Sequence, residues 1–396
     1  MLELHETQLD KITEVFYRIL SGEKPQPILL PPDAPDNEHS QVVSYINRFI
    51  GEYNDFVEFM YSLSRGELNY TPPQGKMRVL QSFKSLQASL RHLTWKTQQI
   101  AAGDFSQRID FMGDFSDAFN SMTQQLEKAF ADLEQANQKL ADKNRHITDS
   151  IRYAWRIQQA ILPTPETMRE AFGEDFFVIF RPLSIVSGDF YWIARVQDDI
   201  LLAALDCTGH GVSGAFLTMI GHTLLNKIVI ENQIVDPSQV LSDLNTGVRS
   251  ALQQETGDTR DGMDVCLCRI HAGRRQVTFA GSKRPLYYTS QQQLQQIKGD
   301  RLSIGGKPKK KKKSGKFTNH DISIRPGDTL YLSSDGLVDQ PNPIGKIFGS
   351  KQLKKLLSEV ATYSIIEQER LILAELHAHQ KDKPQRDDIT LLGVRI

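Results

Sequence analysis

The chain is 396 residues long with 47 Lys and Arg against 48 Asp and Glu, and a formal net charge of -1 excludes a general attraction to nucleic acid. Hydrophobic residues at 39% and charged residues at 24% are ordinary for soluble globular protein, and the length leaves room for more than one domain. Cys207, Cys266 and Cys268 lack zinc-site spacing, no apolar stretch approaches bilayer length, and the acidic Met1–Asp10 segment is unlike a leader, so a cytoplasmic protein without a membrane span is expected.

The first 75 residues carry two helical patterns, Leu9–Leu20 and Gln41–Leu63, split by the proline-rich stretch Lys24–Asp36, and read as a small helical input region (1–75). From Phe83 a helix presents Phe83, Leu86, Leu90, Leu93, Thr97 and Ile100 at alternating steps of three and four, ending near Gly103. The pattern restarts after Gly113 with Phe119, Met122, Leu126, Ala129, Leu133, Ala136, Leu140, Lys143, Ile147, Ser150, Ala154, Ile157 and Ile161, broken only by Lys143 and Ser150. So narrow and regular an apolar line predicts a coiled-coil helix over 119–161 and a parallel homodimer. Helix, glycine-containing connector and helix, carried by Leu93–Met122, resemble a HAMP signalling module (76–135), although no membrane helix precedes it as is usual for such modules. Pro163 and Pro165 end the helix, and a domain over 162–396 follows.

From Phe176 the texture changes to short apolar runs bounded by Gly, Asp and Pro: FFVIF, DFYWIA, ILLAALD, VCLCRI, VTFAG, PLYYT, DTLYLSS and ITLLGV. These read as strands, interrupted by helices Val212–Gln233 and Pro237–Gln254, with a third over Ser350–Ala378 before the last strand. That order predicts an α+β sandwich of antiparallel sheets with helices outside.

Aspartates stand at the predicted strand ends: Asp189 in SGDF, Asp206 in DCTGHG, Asp335 in SSDGLVD, and Asp387 with Asp388 in RDDIT. Hard divalent cations such as Mg or Mn take oxygen ligands of this kind, whereas a single Asp-Gly pair is explained by a turn alone. Taken together and in this order, the four motifs resemble the PPM-type metal-dependent serine/threonine protein phosphatases, in their SpoIIE-like branch, from about Tyr153 to Ile396. The resemblance implies an αββα sandwich holding two divalent metal ions, Mn or Mg. It implies that Asp206 bridges both, with the Cys207 carbonyl and Asp189 on the second metal's side and Asp335 and Asp387 on the first. Asp388 is a second candidate beside Asp387, and Asp261 or Asp264 could hold a third, looser ion.

Thr208 stands where many of these enzymes carry a histidine that protonates the leaving group, which leaves His210 as the candidate general acid. No clear phosphate-binding arginine is present; Arg181, Lys283 and Arg284 are the available charges. A cysteine nucleophile is disfavoured because the sequence after Cys207 lacks a phosphate cradle ending in Arg. The resemblance implies a phosphoprotein substrate, a STAS-type anti-sigma factor antagonist or similar partner-switching protein. The alternatives are a non-catalytic scaffold of the same fold or a two-metal nuclease, which would usually bring histidine ligands. The basic run Lys307–Lys313 reads as a solvated inserted loop.

Overall fold

The computed structural model describes residues 6–31, 36–273, 275–306 and 316–396; the Lys307–Lys313 run lies outside the described residues. The chain divides into two compact units, 1–141 and 142–396, and the division falls within one long helix.

The first unit opens with α1 (Glu6–Leu20) and α2 (Glu38–Ser64). Asn37 starts α2 by accepting from the His39 and Ser40 amides while the Ser40 hydroxyl accepts from the Asn37 amide, a reciprocal cap that fixes where the helix begins. Val15, Ile28, Val43 and Ile50 form a small core. Ile28 lies outside any helix, and Asn47 of α2 satisfies its backbone, accepting from the amide at 2.7 Å and donating to the carbonyl at 2.9 Å. The same device recurs between α3 (Arg78–Ala101) and α4 (Asp114–Ile161), where Asn120 accepts from the Ile109 amide at 2.9 Å and donates to its carbonyl at 2.7 Å. Ile109 is thereby buried with Ile100 and Phe119. Further along α4 the apolar line stays in solvent: Leu126, Leu133, Leu140 and Ile147 are 37%, 56%, 57% and 58% exposed.

In the second unit α5 (Pro165–Phe172) leads into β1 (Phe176–Arg181), β2 (Asp189–Val196) and β3 (Asp199–Cys207). Next come α6 (Gly211–Leu225), continued by a π-helical turn Asn226–Glu231, and α7 (Pro237–Ala251). The strands β4 (Gly262–Ile270), β5 (Gln276–Ser282), β6 (Leu286–Ser290), β7 (Gln293–Ile297), β8 (Ile304–Gly305), β9 (His320–Ser323) and β10 (Thr329–Ser333) follow. The chain closes with α8 (Gly336–Asp339), α9 (Gly349–Val360), α10 (Ile365–Gln380) and β11 (Ile389–Arg395).

Antiparallel pairing orders one sheet β1-β11-β10-β6-β7 and the other β2-β3-β4-β5-β9, with β8 on β4. Period-two alternation assigns the faces. On β3, Leu202 and Ala204 join Cys266, Cys268, Leu330, Leu332, Leu392 and Val394 between the sheets, while Leu201, Ala203 and Leu205 pack with α6 and α7 residues such as Leu217, Leu241 and Leu244. On the opposite face Tyr331, Ile389 and Leu391 pack with Leu353, Leu357, Ile372 and Leu376 of α9 and α10. The result is a helix, sheet, sheet, helix sandwich.

Three local features differ from the sequence reading. The expected Ser350–Ala378 helix is two, because Ser364 caps α10 by accepting from the Glu367 amide at 3.3 Å. The glutamine-rich edge strand β7 gave no apolar signal. Among the described residues one helix, Gly211–Glu231, is long and apolar enough by length and composition to cross a bilayer, where none was expected, and its Leu217, Leu225, Ile228 and Val229 are buried in the sandwich core.

Candidate active site

Register builds one side of the site. Asp189 on β2 pairs with Asp206 on β3, which pairs with Asp264 on β4, so three carboxylates stand in a row across one sheet at one end of the strands. Like charges directly opposite each other on a sheet are destabilising, so such a row calls for a cation. The second sheet contributes from the same end: Asp335 follows β10 at the residue before α8, where its side chain makes no capping bond, and Asp387 and Asp388 immediately precede β11.

The motif glycines allow the loops to meet. A Cβ on Gly188 would lie 2.3 Å from the Gly209 carbonyl oxygen, and one on Gly336 would lie 1.9 Å from the Asp388 carbonyl oxygen; neither separation is attainable. SGDF is therefore pressed against DCTGHG, and SSDG against RDD, backbone to backbone. Asp388 locks this arrangement from within: its Oδ1 accepts from the Leu183 amide and its Oδ2 from the Gly188 amide, both at 2.6 Å. Both oxygens of that buried carboxylate are thus engaged by backbone, one residue before Asp189. On the other side of Gly188, Gln158 near the end of α4 forks onto Ser187, accepting from its amide at 2.9 Å and donating to its carbonyl at 2.7 Å, with Thr218 of α6 a further partner at 3.1 Å.

Electrostatics mark the carboxylates as short of positive charge. Asp189 is 3% exposed, its Oδ2 has no hydrogen-bond partner among the described residues, and burial followed by the neighbouring Asp206 raises it well above the usual carboxylate range. Burial pushes Asp206 up to about 8, against the pull of Arg284 and with Asp335 adding to the rise. Partial burial also raises Asp387, and the Asp388 amide, donating to its Oδ1 at 2.8 Å, draws it back. Asp206, raised this far, holds a proton at neutral pH unless a cation replaces it. Among the described residues no three Asp, Glu, His or Cys side chains converge into a finished metal cage, and the charge standing between them is Arg284. Its Nη2 lies 2.6 Å from Asp335 Oδ2, 3.0 Å from Asp206 Oδ2 and 3.3 Å from Asp264 Oδ2. All-oxygen donors, an unpartnered buried carboxylate oxygen and a raised proton affinity fit a hard divalent cation.

His210 is exposed at the position that caps α6 and makes no capping bond with its side chain. Cys207 ends β3, its amide donates to the Gly188 carbonyl at 3.1 Å, and its thiol is buried and pushed well above the usual range, the reverse of a reactive thiolate. Asp261 accepts from the Thr208 hydroxyl at 3.2 Å, and Asp264 takes Lys283 Nζ at 3.1 Å. Arg181 turns to His377, 2.9 Å away. Sequence reasoning missed Gln158 altogether. Asp264 had a signal in being a lone carboxylate within the apolar run GMDVCLCRI.

Comparison with known proteins agrees with this geometry. The family model of stage II sporulation protein E (SpoIIE) matches residues 197–396. The chain is 26% identical over 267 residues to phosphoserine phosphatase RsbU of Bacillus subtilis (strain 168), covering 66% of this chain and 74% of that protein. It is 24% identical over 337 residues to protein IcfG of Synechocystis sp., covering 76% of this chain and 50% of that protein. Among solved structures, the SiaA-PP2C domain of Pseudomonas aeruginosa superposes with a TM-score of 0.58 at 35% identity, over 65% of this chain and 98% of that one.

Proposed function

We propose, from the premise that this chain belongs to the SpoIIE family and is a metal-dependent protein serine/threonine phosphatase, a specific site, substrate class and mode of control. The observation that carries the reading is the row Asp189, Asp206 and Asp264 facing Asp335 and Asp387 at one edge of the sandwich.

Two divalent ions, Mn or Mg, would be held by Asp206 between them, by Asp189 and the Cys207 carbonyl on one side and by Asp335 and Asp387 on the other. Such ions lower the pKa of a water and neutralise phosphoryl oxygens. Around them the chain's own residues do the orienting. Asp388 fixes the Gly188 loop that sets Asp189, and Ala204 and Cys266, two residues from Asp206 and Asp264 on the same sheet face, are buried in the apolar layer behind the carboxylates. His210, exposed at the start of α6, is the candidate to give a proton to the departing seryl or threonyl oxygen.

The substrate is a phosphoserine or phosphothreonine on a small regulatory phosphoprotein, of the STAS anti-sigma factor antagonist type or a similar partner-switching protein. Control comes from the helical region. A parallel dimer is supported by the half-exposed line Leu126, Leu133, Leu140 and Ile147, and a HAMP-like module by the connector whose Ile109 is gripped by Asn120. Gln158, on the same helix as that line, touches the residue two before Asp189, which supplies a physical route from helix to metal ligand. Three buried, unpaired cysteines suit a reducing cytoplasm.

The test is Mn-dependent phosphate release from a phosphoserine or phosphothreonine protein. Asp206→Ala is expected to lower it at least about a thousandfold, ~4 kcal/mol of transition-state stabilisation. A variant that keeps wild-type turnover would remove Asp206 from the site.

A further inference from the structure

Arg284 is the residue least explained by a metal site, since it places a guanidinium where positive charge is to be supplied by ions. Its backbone is fixed: the amide donates to the Ser282 carbonyl at 2.6 Å, and its carbonyl oxygen is so close to Gly281 and Gly299 that a Cβ on either would lie 2.4 Å or 2.6 Å away. The arm is therefore aimed by the turn between β5 and β6. Its side chain is 16% exposed, and a single nitrogen, Nη2, serves Asp206, Asp264 and Asp335 together. Only the contacts to Asp335 and Asp264 have hydrogen-bond geometry; that to Asp206 is charge proximity.

A permanent structural arginine pair normally presents two parallel N–H groups to one carboxylate and leaves no buried donor unused. Here the fork is not used in that way, and the buried Nε has no partner among the described residues. One nitrogen shared by three carboxylates imitates a point cation, and the unsatisfied donor makes the arrangement replaceable.

We infer that Arg284 is a built-in competitor for the metal site: its guanidinium and the divalent ions contend for the same oxygens of Asp206 and Asp335, so that metal loading requires the arm to leave. Arg284 is then a positioning residue that sets how much metal is needed, and a change that draws the β5–β6 turn away raises metal affinity without adding a ligand. The inference rests on the metal-site reading above, and the experiment separates the two.

Calorimetric titration of the full chain with Mn2+ is compared for wild type, Arg284→Ala, Arg284→Lys and Lys283→Ala, each beside its melting temperature in chelator. Competition predicts about tenfold tighter Mn2+ binding for Arg284→Ala, the size of one lost charge-assisted contact. Arg284→Lys should fall between, since an ammonium still competes, and provides the answer if the alanine variant does not fold. Arg284→Ala should also melt lower in chelator and gain more on adding Mn2+. Lys283→Ala removes the same charge from Asp264 but touches neither Asp206 nor Asp335, and should change affinity far less. Equal gains for the two alanine variants would reduce the effect to net charge and overturn the inference, as would unchanged or weaker binding in Arg284→Ala. Failure of the wild type itself to bind Mn2+ would instead remove the metal site, and the competition with it.

Discussion

The 142–396 unit and the 1–141 unit treat their apolar residues in opposite ways. In the first, β3 sends Leu202 and Ala204 to one layer and Leu201, Ala203 and Leu205 to another, all essentially without exposure. In the second, Leu126, Leu133 and Leu140 remain between about a third and three fifths exposed along a single helix. Apolar area left in solvent forgoes about 25 cal/mol per Å2, and a regular line of it on a long helix is what supports the proposed pairing with a like helix. The sandwich buries its apolar residues within itself; the helical stretch leaves this line exposed, which is the ground for the proposed dimer. In the proposed scheme the control carried by the helix would reach the site where Gln158 grips Ser187.

That contrast can be broken most severely at the exposed line. Leu133→Asp combined with Leu140→Asp buries four carboxylates in a pair of identical helices, two from each chain, and the dimer dissociation constant should rise by at least about a hundredfold, measured by sedimentation equilibrium. A dimer of undiminished strength would assign that line to another partner.

The meeting point is the next place to press. Gln158→Leu keeps the side-chain volume roughly but leaves the Ser187 amide and carbonyl without their partner inside the protein, a cost of about 2–4 kcal/mol for two groups. We expect a lower melting temperature and Mn2+ binding weakened by about tenfold, with the dimer intact. Loss of stability with unchanged Mn2+ binding would make Gln158 a structural residue only.

The smallest effect concerns protons. With Asp206 raised to about 8, ions must displace a proton to bind, so apparent Mn2+ affinity should fall about fivefold between pH 8 and pH 7. In chelator the sign for stability is the opposite. The folded chain keeps a proton that the unfolded chain has released above 3.8, so the protein should melt lower as pH rises from about 4 towards 8. Calorimetry in buffers of differing ionisation enthalpy counts the released protons.

What the sequence made legible followed from side-chain chemistry and local pattern. Short apolar runs such as ILLAALD and ITLLGV, bounded by Gly, Asp and Pro, gave the strands, and Asp at the strand ends gave the candidate ligands. The role of the glycines as sites of backbone contact required the fold, since Gly188 meets Gly209 and Gly336 meets Asp388 only after the sheets have formed. The same holds for Arg284, which stands 51 residues from Asp335, and for Gln158, 29 from Ser187. No local pattern encodes a pairing set by strand register. Asp387 and Asp388 show the limit most closely: adjacent in sequence and alike in chemistry, they are separated by the backbone amides of Leu183 and Gly188, which take both oxygens of Asp388.

The most direct measurement is phosphate release from a phosphoserine or phosphothreonine protein by the full chain stripped with chelator and then titrated with Mn2+. The account predicts no release above background until Mn2+ is added, and a saturable recovery that follows the calorimetric binding curve. Release that proceeds undiminished in chelator would contradict it.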